Sequence, residues 1–217
     1  MRRTVTDDPA GVAAERLAAA AGGHIALSGG STPRAAYERA AEMEVDWSGT
    51  TFWFGDDRAV PPDHEHSNYR MARETLLDRI EGAQVERIRG ELDHEEAASD
   101  YERRLRGAFG DAMPELDLIL LGLGPDAHTA SLFPRDIALG ERERLAVGVP
   151  TPGMAPLVPR VTLTLPVLNH GKEVVFLVAG EDKREAVHRA FSGAKDPEAP
   201  ASLVEADELI LDPAAAP

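Results

Sequence analysis

Leu116-Asp117-Leu118-Ile119-Leu120-Leu121-Gly122 is the most apolar run of the chain, and its reading decides the fold. Six residues stopped by glycine is strand length. A near-continuous apolar run, with no alternating polar face, belongs to a strand covered on both sides. Outward from it the pattern repeats. Residues 24–27 form a short apolar run, 50–54 are β-branched and aromatic, 173–179 are again nearly all apolar, and 209–211 suit a last short strand. Residues 161–165 alternate Thr with apolar side chains. Between these lie helical stretches: an Ala-rich segment at 9–21 stopped by Gly22-Gly23, then 34–43, 68–80 capped by Ser67, a charged surface helix at 95–109, and 183–191. Buried strands alternating with helices predict an α/β fold: a single Rossmann-like domain over residues 1–217, with a mostly parallel sheet and helices on both faces. The Ala/Pro tail at 213–217 is expected to fray.

Composition narrows the chemistry. The 217 residues carry 38 acidic and 23 basic side chains, a formal net charge of −15, seven His and no Cys, and 43% are hydrophobic. That apolar share supports a packed core rather than disorder. Without cysteine there is no disulfide framework, thiolate zinc site or Cys nucleophile. The acid excess argues against nucleic acid as a partner, because phosphate backbones demand a basic face. No run reaches the ~20 apolar residues of a membrane span. Asp7-Asp8-Pro9 stand where the apolar stretch of an export signal would be, so a soluble cytoplasmic protein is expected. No obligate protein partner is indicated.

In parallel sheets, ligands bind beyond the carboxyl ends of strands. After the first strand comes Ser28-Gly29-Gly30-Ser31-Thr32-Pro33. Glycines admit close approach of the backbone, free N–H groups point outward, and the hydroxyls add donors, which together make an anion site. A helix cap with a tight turn accounts for the same residues. The spacing fits neither common nucleotide-binding loop. After the second strand, Asp56-Asp57-Arg58 reads either as turn formers or as site residues with Arg58 on the same rim. His64-Glu65-His66 lacks third and fourth ligands at a metal spacing, so no metal is assigned. Arg70 is a second candidate anion contact.

After the central strand comes Gly122-Leu123-Gly124-Pro125-Asp126-Ala127-His128-Thr129-Ala130-Ser131-Leu132-Phe133-Pro134. Asp126, two residues before His128 at an expected strand-to-helix junction, can orient an imidazole acting as general base. A helix-start His bonded to a carbonyl is the alternative. Lys183 opens a helix, where the dipole prefers anions. A bound anion would resolve that conflict, and so would pairing with Asp182. Arg160, after a proline-rich loop at 151–159, is a further cation of this kind.

Taken in order, Ser-Gly-Gly-Ser-Thr-Pro (28–33), Asp-Asp-Arg (56–58), His-Ser-Asn (66–68), the segment 122–134, Arg-x-Thr-x-Thr (160–164) and Gly-x-x-Lys (180–183) closely resemble the 6-phosphogluconolactonase family. The resemblance covers nearly the whole chain, and His-Thr-Ala-Ser-Leu-Phe-Pro is its most specific part. It implies a fold shared with the glucosamine-6-phosphate isomerase/deaminases. It also implies hydrolysis of 6-phospho-D-glucono-1,5-lactone in the oxidative pentose phosphate pathway, without metal or organic cofactor. Catalysis would then fall to His128, Asp126 and Asp56, and substrate binding to Ser28, Gly29, Gly30, Ser31, Thr32, Arg58, Arg160 and Lys183. Two positions depart from the family pattern: Asp57 stands for the usual Glu, and Ala127 for a Gly. If that Gly has positive φ, Ala costs about 1 kcal/mol or more there.

Two rivals remain. The related isomerase/deaminases carry an acidic residue where this chain has Phe133. A non-catalytic sugar-phosphate sensor would be expected with a DNA-binding module, for which the stretches before residue 24 and after residue 212 leave no room. The loop cations Arg58, Arg160 and Lys183 predict a small positive cleft on an acidic body.

Overall fold

The computed structural model describes all 217 residues. Its main sheet pairs seven strands, every one parallel to its neighbours, in the order β1 (Arg2–Val5), β10 (Glu208–Leu211), β9 (Val174–Val178), β6 (Leu118–Leu121), β2 (His24–Leu27), β3 (Thr51–Phe54) and β5 (Gln84–Val85). Every residue of β6, β9 and β10 is buried, which is why these strands read as unbroken apolar runs. From β2 the chain builds outward through β3 and β5 on one side, while β6, β9 and β10 build outward on the other. The reversal falls between β2 and β6. In an open parallel sheet that switch point leaves a crevice outside the carboxyl ends of the two strands.

Helices α1 (Pro9–Ala19) and α2 (Ser31–Ala40) pack on each other, burying the small residues Ala13, Ala14, Ala36 and Ala40. The long α4 (His94–Phe109) docks through Tyr101, whose hydroxyl accepts from Phe54 N–H and donates to Phe54 C=O. The other helices are α3 (Asn68–Thr75), the single turn α5 (Leu165–Leu168) and α6 (Arg184–Phe191). One apolar core of 56 residues runs through the molecule. No helix is long and apolar enough to cross a membrane.

The main sheet and most helices stand where the sequence places them, with several corrections. A second sheet, antiparallel, joins β4 (Asp56–Arg58), β8 (Arg160–Leu163) and β7 (Ala146–Val149). Arg58 and Arg160 therefore sit in paired strands, directly opposite each other, and not in loops. No helix follows β6. Residues 122–134 form tight turns, with Ala127, Ala130 and nearby Arg135 all at positive φ, a conformation no α-helix accommodates. Helix α2 begins at Ser31 rather than 34. Helix α3 stops at Thr75 because Leu76 turns out at φ −132°. The N-terminus adds the edge strand β1. The tail at 213–217 does not fray: Ala215 is fully buried, its N–H bonded to Asp212 Oδ1 at 2.7 Å.

Candidate active site

The crevice at the switch point is a cavity of about 230 Å³. That is small beside the ~300–1,000 Å³ of pockets for drug-sized ligands, and suits a small metabolite. Ser28, Gly29 and Gly30 after β2 face Gly122, Gly124 and His128 after β6 across it; Asp56, Arg58, Asn68, Arg160 and Lys183 close the remaining walls. Two strand ends, the small sheet and the start of α6 thus converge on one space. Ser31 and Thr32 form the first turn of α2 and do not line it. Arg70 points elsewhere, to Glu74 and Asp63 C=O.

The floor is backbone held in place. Tyr37 on α2 accepts from Ser28 N–H and donates to Ser28 C=O, fixing the end of β2. Burial raises the Tyr37 phenol well above its ordinary range, so it stays a neutral hydroxyl. Gly29 is needed for contact: a Cβ there would fall 2.0 Å from Asn68 Oδ1. Gly30 caps α2 at φ 113°.

The small sheet supplies the polar wall. Asp57 is buried and accepts from the backbone N–H groups of Arg58, Asn68 and Tyr69 and from the Ser67 hydroxyl. It ties β4 to the start of α3. Burial pushes its carboxyl up to about 6, against the backbone donors that favour the ionised form. Asp56 faces the cavity and accepts from Ser131 Oγ at 2.5 Å and from Asn68 Nδ2 at 3.3 Å. Asn68 also accepts from Arg58 Nη1 at 2.6 Å. Its central place was missed by the sequence reading, although His-Ser-Asn stood among the recognised motifs; Ser67 drew attention as the helix cap, which it is.

The two arginines are unusual in having no carboxylate of their own. Arg160 is 3% exposed, donates from Nη2 to Met154 C=O and Pro156 C=O, and leaves Nε without a partner. Burial pulls its guanidinium below the ordinary value, opposed by the charge of Asp56, yet arginine remains a cation. Arg58 donates to His66 C=O and Asn68 Oδ1, and its Nε is likewise buried and unpartnered. The Ser28 hydroxyl is a third orphan. Buried polar groups normally find partners, and these three unpartnered atoms belong to residues that line the one cavity. Lys183 lies 3.8 Å from Asp182, a loose contact.

Asp126 and His128 form a hydrogen-bonded pair at the cavity. Asp126 Oδ1 accepts from His128 N–H at 3.1 Å and lies 2.5 Å from His128 Nδ1. A carboxylate there assigns the proton to Nδ1 and leaves the Nε2 lone pair free. Burial works to raise the Asp126 carboxyl, but the bond and charge of His128 prevail and hold it below its usual value. Ala127 between them has φ 65°, so the position that is Gly in the resembled pattern does require the left-handed region. The His64 and His66 rings lie 5.1 Å apart, inclined at 56°, and neither lines this cavity.

Residues 1–211 match the family model described as "Glucosamine-6-phosphate isomerases/6-phosphogluconolactonase". The chain belongs to this family. Among relatives, a 6-phosphogluconolactonase of Nostoc sp. is 44% identical over 79% of this chain and 72% of its own length. The solved 6-phosphogluconolactonase from Trypanosoma cruzi superposes with a TM-score of 0.87 at 29% identity, covering 99% of this chain and 95% of the other. The fold alone does not separate the family's two activities. A monomeric glucosamine-6-phosphate deaminase superposes at TM-score 0.85 with 19% identity, over 99% of this chain and 98% of its own.

Proposed function

We propose that this chain hydrolyses 6-phospho-D-glucono-1,5-lactone to 6-phospho-D-gluconate, within the oxidative pentose phosphate pathway. The observation that carries this reading is the meeting of an Asp126–His128 pair with two carboxylate-free arginines, Arg160 buried and Arg58 half-buried, at one small cavity. In it, His128 Nε2 takes a proton from water as the water oxygen attacks the C1 carbonyl. The C–O π pair moves onto oxygen, where a cleft cation and loop N–H groups stabilise it. Collapse of the tetrahedral intermediate expels the ring oxygen, which takes the proton from the imidazolium, and Asp126 holds the ring through both transfers. Arg160, Lys183 and the Ser28–Gly30 loop bind the phosphate, an arrangement that also draws on the amino end of α2. No step calls for a metal or organic cofactor, because an ester carbonyl is already electrophilic. A cytoplasmic location fits this reading.

A coupled assay, following lactone loss above its spontaneous hydrolysis, tests the proposal. General-base catalysis is worth about 10²–10⁴-fold, so His128→Ala should lose at least a hundredfold in kcat. Retention of more than about a tenth of the wild-type rate would remove His128 from this role. The isomerase/deaminase alternative has Phe133 against it: an apolar ring packs 4.5 Å from the imidazole, where that chemistry uses an acid. Ammonia release from glucosamine 6-phosphate would reverse the choice, and ligand binding with no turnover of either compound would favour a sensor.

A further inference from the structure

Phe133 lies behind the cavity wall, against two residues that line it. Its ring centroid lies 4.5 Å from that of His128, the planes inclined at 38°, and the Arg160 guanidinium carbon lies over the same ring at 5.2 Å. The ring is almost fully buried and does not itself line the cavity. Gly153, in the loop before β8, presses on it so closely that a Cβ there would stand 3.2 Å from the ring. His128 is held at Nδ1 by Asp126 and approached by the Gly124 backbone, where a Cβ would fall 2.0 Å from that nitrogen; Phe133 is the aromatic ring set against it. Arg160 is held through one terminal nitrogen by two carbonyls, with no carboxylate to set its plane.

We propose that Phe133 is a positioning residue that aligns the base and the anion anchor against one aromatic ring. The proposal rests on the lactone-hydrolase reading. An aromatic face carries negative potential and attracts a cation. Arg160 is a cation throughout, whereas His128 becomes one only when it has taken the proton from water. The same ring therefore holds Arg160 before the reaction and favours the charged imidazole during it. It also fixes the spacing between the proton acceptor and a phosphate bound at Arg160. The lactone carbonyl and the phosphate belong to one molecule, so that spacing has to match the substrate.

Shape and electrostatics can be separated by replacing Phe133 with phenylalanines bearing one, two and three ring fluorines. These keep the ring while draining the negative potential from its face. Unmodified protein is assayed on the lactone first, and inorganic phosphate binding is measured by calorimetry on every variant. The expected result is a stepwise loss, reaching about 3–10-fold in kcat and a similar weakening of phosphate affinity at three fluorines. Melting temperature should stay nearly constant. Phe133→Leu should lower both quantities at least as far, and the fluorinated set keeps the test open if that variant folds poorly. If unmodified protein hydrolyses the lactone and the fluorinated series is flat, the positioning role is wrong while the functional reading stands. A fall in kcat with unchanged phosphate affinity also overturns it, because the ring would then serve the base alone. An unmodified protein without lactonase activity defeats the functional reading, and the phosphate arm still judges the contact with Arg160.

Discussion

Ala127 holds φ at 65° one residue before His128, with its methyl group fully buried. The left-handed region costs an L-residue about 1–2 kcal/mol. Glycine there escapes the strain but loses the methyl burial, about 0.8 kcal/mol, and gives the unfolded chain more freedom, about 0.4–1 kcal/mol. The terms nearly balance, with strain at its upper range slightly ahead. Ala127→Gly should therefore change stability by no more than about 1 kcal/mol, or about 2–4 °C in Tm for a chain of this size. Because Asp126 grips both the backbone and the ring of His128, kcat should stay within twofold. Calorimetry and the lactone assay check both; a large rise in kcat would show that alanine has displaced the base. Single residues of this kind were partly legible. The strand-end position and the Asp-x-His spacing pointed to His128. Asn68 and Phe133 owe their places to contacts between separate elements, Asn68 with Asp56 and Arg58 and Phe133 with Arg160, which no single local pattern carries.

At the scale of elements, the small sheet matters more than its length suggests. Strand β4 has three residues and β8 four, and pairing Arg58 with Arg160 sets two guanidiniums side by side facing the cavity. A buried charge without a counter-charge costs stability and is retained where a ligand supplies the missing charge. Arg160→Met keeps the volume and removes the charge. It should leave the melting temperature unchanged or higher while raising KM about 10–100-fold, the range for losing one or two charge-assisted hydrogen bonds. Equal loss of stability and affinity would mean that the carbonyl bonds to Met154 and Pro156 are structural. This sheet could not be read beforehand. Asp56-Asp57-Arg58 has the composition of a turn, and it is a strand because β8 pairs with it and α3 donates to Asp57. The main sheet could be read, because strands buried on both faces must be apolar throughout. The tight turns after β6 could not, since the strand-to-helix rhythm of the fold masks a loop held by positive-φ residues.

Over the whole molecule, the acid excess and the cationic cleft are compatible because most acids are paired or lie elsewhere, and one acid closes the sheet. Glu208, on β10, is completely buried and accepts from Arg2, Thr4 and Arg16, joining the edge strand β1 and helix α1 to the interior. The N-terminus is ordered by these charges rather than by apolar pattern, so it did not read as a strand. Burial alone would raise this carboxyl; the bonds from Arg2, Arg16 and Thr4 outweigh it and bring it from 4.5 down to about 2. That displacement corresponds to about 3 kcal/mol. Arg2 is 58% exposed, so screening by water reduces the contribution to roughly 1–2 kcal/mol. The sign follows from linkage. The unfolded chain binds this proton first as pH falls, so the stabilisation is whole above about 4.5 and is lost progressively toward about 2. Glu208→Gln should be less stable than wild type at pH 7 by that amount, with the two curves drawing together between pH 4.5 and 2. Denaturant unfolding across that range measures the gap directly. A gap that stayed constant down to pH 2 would mean that Glu208 contributes through packing, and that the charges of Arg2 and Arg16 do not close the sheet.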